Sequence, residues 1–318
     1  NVDAPLVGIE GVHVRRVNMG LFALEQADTL DAMSRIYFQM GEYDQANSMQ
    51  QAYAGIYAQN YSDDFLKQVP ARLNRALMLA QTGRLLDAKL AYRRLITNIE
   101  KTDSGRSLEL LPVIYQFADL MQNHAINDGV DGGEMAHRFL RRAVYIADKN
   151  ENATPLQRAD AYIALADYYV DRSKDRQRAQ RLYKRAWMAL SEDEQYASAR
   201  DERLLRPKVV NPMPNGTPAA MRAVLRSSMN DDEEKNARLV AAFDLDEMGI
   251  PRNVRIEEGD PSGYLDPILI RYIDMLAFRP GFVDGEPARF ENQALILDYY
   301  SAALAADIRQ NTLDAEAD

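Results

Sequence analysis

The sequence predicts a mainly α-helical protein: a helical-repeat solenoid followed by a small α+β domain in the order strand, strand, helix, strand. Three observations lead there. Four segments share one apolar spacing and recur at roughly 42 residues, a period in the solenoid range. The stretch "LLRPKVVNPMPNGTPAA" (204–220) then breaks the helical pattern with Pro207, Pro212, Pro214 and Pro218. Beyond it, "FDLDEMGIPRNVRIEEGD" alternates apolar and polar residues on either side of a glycine turn. At 318 residues and 47% apolar composition, the chain can bury sizeable cores.

The repeating segments are "GEYDQANSMQQAYAGIY" (41–57), "GRLLDAKLAYRRLITNI" (83–99), "GGEMAHRFLRRAVYIA" (132–147) and "DRQRAQRLYKRAWMAL" (175–190). Each holds a small pivot: Ala46, Ala88, Ala136 or Ala179. Met49, Tyr92, Leu140 or Tyr183 follows three or four positions on. Tyr53, Leu95, Ala143 or Ala186 comes seven positions after the pivot. This spacing keeps one stripe of a helix apolar, and the alanine is expected where two helices cross closely. "LDAMSRIYFQM", "RLNRALMLAQT" and "AYIALADYYVDR" supply preceding helices for the first, second and fourth segments. Gly41 and Gly83 let the chain turn between helices at little steric cost. Tyr53, Tyr57, Tyr61 and Tyr92 are expected to pack between repeats.

This pattern resembles the tetratricopeptide-repeat (TPR) family. The residues that carry the resemblance are "GEYDQA" with Tyr37 and Tyr43, and "TGRLLDA" with Leu79, Tyr92 and Leu95. It covers about residues 20 to 200, with units longer than the family's 34 residues. The third unit carries an insert, "NHAINDGVDGG" (123–133). The resemblance implies an α-solenoid that binds extended peptides or helices on its concave face. Groove candidates on the first helix of each pair are Arg35, Gln39, Asn74, Arg75, Tyr115 and Gln116. In the insert, Asp128, Asp131 and Glu134 do not follow the calcium-loop spacing, which predicts a solvated loop.

The expected organisation is a repeat domain (1–206), a proline-rich linker (207–220), an α+β domain (221–304) and a tail (305–318) that is helical or disordered. The third part begins with a short helix, "PAAMRAVLRSSM". A strand at 237–246, a turn centred on Gly249 and a strand within 253–260 form a hairpin. A helix at 264–278 with Pro267 in its first turn follows, then an Asp-Gly turn in "GFVDGEP" and a last strand within 290–304. Phe243, Asp244, Leu245, Asp246 and Gly249, then Asn253, Val254 and Ile256, then Phe278, Arg279 and Pro280 appear in this order. Together they resemble the C-terminal domain of TonB-type energy transducers. Where that family tends to carry an aromatic-proline pair before the first strand, this chain reads "MNDDEEKNARL". The resemblance implies a last strand whose free edge accepts an extended peptide, here along Leu295, Ile296, Leu297, Asp298 and Tyr299. The physical basis is β-augmentation, in which the peptide satisfies unpaired N–H and C=O groups.

Composition narrows the function. With no cysteine, disulfide and thiolate chemistry are excluded. His13, His124 and His137 are the only histidines, so no metal site is expected. A net charge of −10 argues against nucleic acid as the main partner. By residue count, roughly −12 lies in 231–318 and roughly +2 in the rest, an acidic surface or a contact for a basic partner. No apolar run reaches about 18 residues, so no membrane span is expected. The first residues show no secretory leader, as in an exported protein whose leader has been removed. No Ser/His/Asp ordering, phosphate loop or metal spacing is present, and Glu257 and Glu258 are adjacent on a predicted strand, facing opposite ways. The expectation is a non-catalytic adaptor without a cofactor, in the periplasm or at the outer membrane of a Gram-negative cell, binding protein partners through both domains. The alternative is an accessory component of a TonB-type nutrient-uptake system that engages receptor peptides.

Overall fold

A computed structural model describes residues 23–123, 132–214, 216–230 and 234–301. The protein is mainly helical with a sheet region near its C-terminus, and it divides into two compact units, Asn1–Gln157 and Arg158–Asp318. His13, His124, Asp128, Asp131 and the tail (305–318) lie outside the described residues. Among the described residues no helix is long and apolar enough to cross a membrane.

The first unit holds α1 (Ala27–Gln39), α2 (Tyr43–Asn60), α3 (Phe65–Gln81), α4 (Leu85–Thr102), α5 (Leu110–Asn123) and α6 (Gly132–Lys149). Each of these helices packs on the next. Ala46, Ala88 and Ala136 are fully buried, leaving no room for a larger side chain where the helices meet. The α1–α2 and α3–α4 turns are built alike. Gly41 and Gly83 both sit at φ 77°, in the left-handed region. Glu42 N–H donates to Tyr37 O at 2.9 Å, and Arg84 N–H to Leu79 O at 2.8 Å. This is the 6→1 bond of a Schellman C-cap, which satisfies a helix-end carbonyl and needs glycine at the left-handed position. Tyr53 and Tyr92 are buried, and the Tyr53, Tyr57 and Tyr61 rings follow one another at 5.1 and 5.8 Å.

In the second unit α7 (Pro155–Tyr168) runs into a π-helical turn (Tyr169–Ser173) and then α8 (Arg176–Leu190). Here Lys174, at φ 55°, occupies the left-handed position that glycine holds in the earlier turns. Asp175 caps α8 by accepting Arg178 N–H at 3.0 Å. A short α9 (Ala197–Arg200) and a second π-helical turn lead to β1 (Lys208–Asn211), α10 (Ala219–Met229), β2 (Ala237–Leu245) and β3 (Pro251–Glu258). Then come α11 (Asp266–Met275), β4 (Ala277–Arg279), β5 (Phe282–Val283), β6 (Glu286–Pro287) and β7 (Phe290–Tyr299). The main sheet has the order β3-β2-β7, all antiparallel. Leu239, Ala241, Phe243 and Leu245 of β2 turn one face onto Leu269, Tyr272 and Ile273 of α11 and Met221 and Val224 of α10.

Two segments differ from the sequence reading. The helix expected over 264–278 ends at Met275, because Leu276 is extended and Phe278 joins a strand two residues before Pro280. The segment expected as a linker lies inside the second unit and contributes β1, which pairs antiparallel with β4. It is tied down further by Tyr272 Oη, which donates to Pro212 O at 2.7 Å. The Asp-Gly signal forms the β5–β6 turn, with Asp284 at φ 51° and Gly285 at φ 83°.

One carboxylate fixes the bend of the main sheet. Asp244 sits where the register shifts against both neighbouring strands. Asn253 on β3 (φ 52°) and Asn292 on β7 (φ 52°) are the left-handed residues beside it. Asp244 Oδ2 accepts from Asn253 Nδ2 at 2.8 Å and from Arg289 at 3.2 Å, and Oδ1 accepts Asn292 N–H at 3.1 Å. The Asn253 amide, the Asn292 N–H and the Arg289 guanidinium hold its pKa below the ordinary carboxylate range. A lowered folded pKa contributes stability that is present above the unfolded value and is lost as pH falls through the folded one. The melting temperature of the protein should therefore exceed that of Asp244→Asn at pH 7. The gap should close as the pH drops below about 4, the ordinary aspartate value. A gap constant from pH 7 to pH 3 in thermal melts would discount this role.

Candidate functional site

Two surfaces carry most of the residues expected to bind. In the first unit α1, α2 and α3 enclose a cleft of about 410 Å³. α1 supplies Asp31, Arg35, Phe38 and Gln39; α2 supplies Gln50; α3 supplies Asn74, Leu77, Met78 and Gln81. Helical spacing explains the α1 set, since residues 31, 35, 38 and 39 share one face. The floor is a polar network. Asp31 pairs with Arg35 one turn on. Gln50, 2% exposed, donates to Asp31 Oδ1 and to Ser34 Oγ, both at 2.7 Å. Its buried Oε1 has no hydrogen-bond partner among the described residues. At the rim, the side-chain amides of Gln39, Asn74 and Gln81 are likewise uncommitted among the described residues. Each carries donors and an acceptor, the complement of a peptide backbone, and Phe38 and Leu77 add apolar surface.

The structure thus brings Arg35, Gln39 and Asn74 together. Arg75 lines a different cleft, with Arg72, Arg84 and Arg94. Tyr115 and Gln116, half-buried on α5, line neither. Sequence reasoning missed Asp31, Gln50 and Gln81. Asp31 could have been found from its i, i+4 spacing to Arg35, whereas Gln50 carries no local signal.

In the second unit β7 is an edge strand. It pairs with β2 from Ala237↔Tyr299 to Leu245↔Phe290, and no strand among the described residues pairs with its other side. Leu297 and Tyr299 point into the core, whereas Ile296 is 54% exposed. Leu295 is half-buried against the core, and Asp298 on the open face accepts from Arg238 Nε at 2.6 Å. At the end of the strand, Tyr300 N–H donates to Ser227 Oγ of α10 at 2.8 Å.

Two residues singled out in the sequence, Asp246 and Arg279, lie where the strands meet α7 and α8. Asp246 closes the β2–β3 turn, its Oδ1 accepting Met248 N–H and Ile250 N–H at 3.0 and 2.9 Å. Arg176 of α8 donates to Met248 O at 2.8 Å. Arg279 of β4 reaches Asp167 of α7 with Nε at 3.1 Å and Nη2 at 2.7 Å, and Arg203 O with Nη1 at 2.8 Å. Burial works against the Arg279 charge, and Asp167 and Tyr183 together more than offset it, raising its pKa. Tyr183 Oη donates to the same carboxylate at 2.6 Å, and burial pushes its pKa well above the usual tyrosine value. Trp187 stacks on Phe282, with ring centroids 5.8 Å apart.

No protein-family model and no curated protein matches the sequence. Among solved structures, the chain is similar to one described as the crystal structure of BtubC (BKLC) from P. vanneervenii. Identity is 18% and the TM-score 0.37, over 55% of this chain and 65% of that one. The chain therefore spans a little under two thirds of that structure's length.

Proposed function

We propose that the protein is a non-catalytic adaptor of the Gram-negative cell envelope, periplasmic or associated with the outer membrane. It holds protein partners through a TPR-like helical solenoid and a TonB-like C-terminal domain. The observation that carries this reading is the α1–α3 cleft. Its rim of amides uncommitted among the described residues, beside Arg35, Phe38 and Leu77, suits an extended peptide. The envelope setting rests on the resemblance of Phe243 to Pro280 to TonB-type domains. To test it, the whole chain and an Arg35→Glu/Asn74→Glu variant would each be used to capture partners from a native envelope extract. A stoichiometric protein retained by the parent and lost from the variant is the expected result. A chain that runs alone in every extract ends the adaptor reading.

The side of β7 that no strand among the described residues pairs favours a second reading, an accessory role in TonB-type uptake by β-augmentation. Receptor N-terminal peptides should then bind the protein, and Ile296→Pro should abolish binding by removing a ladder donor. Absence of binding at millimolar peptide rules this out.

A further inference from the structure

The cleft that Arg75 lines lies between α3 and α4 and measures about 280 Å³. Phe65, Leu79, Leu90 and Leu95 give it an apolar floor. Arg72, Arg75, Arg84 and Arg94 place four guanidinium groups around it, against the single carboxylate of Asp87. That carboxylate is already used: Arg84 donates to Asp87 Oδ2 through Nε at 2.9 Å and Nη2 at 2.7 Å. Arg72 is held by a neutral group, donating to Gln68 Oε1 at 3.0 and 2.8 Å while lying 5.3 Å over the Phe65 ring. These contacts hold its position, and no carboxylate among the described residues pairs with it. Burial, and to a lesser degree the charge of Arg75, push the Arg72 pKa down. Arg75 and Arg94 are exposed and meet no carboxylate among the described residues.

Crowded like charges destabilise a fold unless a counter-charge joins them. Here three arginines lack one among the described residues, in a chain whose net charge is −10. Leu90, 49% exposed between the helices, adds an apolar contact that a small inorganic anion would leave unused. We propose that this cleft docks an acidic peptide segment of a partner protein, with two carboxylates on Arg75 and Arg94 and an apolar side chain between them on Leu90. Arginine suits this task because its planar fork meets a carboxylate with two parallel hydrogen bonds. Asn74 faces the α1–α3 cleft and Arg75 this one, so the site is separate from the cleft assigned to the adaptor role and does not depend on it.

The test uses the full chain and a fluorescein-labelled hexapeptide of alternating aspartate and leucine, read by anisotropy. Binding should weaken more than about tenfold between 50 and 500 mM NaCl, because exposed charge pairs are screened. Arg75→Gln and Arg94→Gln should each weaken it about tenfold, the loss of one charge-assisted pair. Their melting temperatures should hold or rise, since neither arginine has a carboxylate partner among the described residues to lose. Arg141→Gln, at an exposed arginine of α6 that lines neither cleft, should leave binding within about twofold. A lysine-leucine hexapeptide should not bind. The proposal fails if the aspartate peptide does not bind at millimolar concentration, or if the Arg75 and Arg94 variants are silent. It fails equally if Arg141→Gln removes the binding, or if pyrophosphate displaces the peptide at equal or lower concentration, which would make this a small-anion site.

Discussion

Arg279→Met should lower the stability of the protein by about 3 kcal/mol, near the lower end for breaking a buried ion pair. Arg279 is 13% exposed and Asp167 23%. Methionine matches the stem of arginine and not its head, so the loss falls on the charge. Asp167 would keep the Tyr183 hydroxyl as its remaining donor among the described residues, and Arg203 O would lose the guanidinium. For a unit of this size, that cost corresponds to a drop in melting temperature of about 6–12 °C. Trp187 is the only tryptophan in the chain, so its emission reports the same event. The stack on Phe282 should loosen and the emission shift to longer wavelength. Adding Asp167→Asn should recover part of the loss, because it removes the uncompensated carboxylate. If Arg279→Met costs under about 1 kcal/mol, the pair behaves as a surface bridge and the seat depends on packing instead.

Gly249→Ala should cost about 2–4 kcal/mol, from a strained backbone and a collision together. Gly249 lies at φ 68°, and a Cβ there would stand 2.4 Å from Phe278 O. Gly263 provides the control. Its φ is 71°, and a Cβ added there meets nothing within 4 Å. Gly263→Ala should therefore show the conformational cost alone, about 1–2 kcal/mol. Urea melts of the two variants separate the contributions, and equal losses would mean that the close approach of the β2–β3 turn to β4 has no energetic weight.

The helical half was readable because its information is local. Gly41 and Gly83 recur with the pivot alanines behind them, and a helix repeats its own face every few residues. The main hairpin was readable for the same reason, since alternation flanks Gly249. The parts that escaped depend on partners far along the chain. β1 is four residues between two prolines, too short to show alternation, and its partner β4 lies about seventy positions on. Arg279 belongs to a recognised pattern, but nothing near it points to Asp167. Asn253 and Asn292, both left-handed, hydrogen-bond Asp244 across the sheet, a partnership that no neighbouring residue reveals. For the binding surfaces the obstacle was angular. Asn74 and Arg75 are adjacent in sequence, yet successive helix residues turn by about 100°, and that step sends them to different clefts.

The pairing of β1 with β4 limits how this sequence can be shuffled. A recombination event placed at Pro218 would carry the main sheet away and leave β1 behind. β4 would lose its ladder, and Arg279 would be inherited without Asp167. The heritable module that keeps these contacts therefore begins before Asp167, close to the division at Arg158. A descendant that borrowed the sheet intact would have to borrow the helical pair α7–α8 beneath it as well.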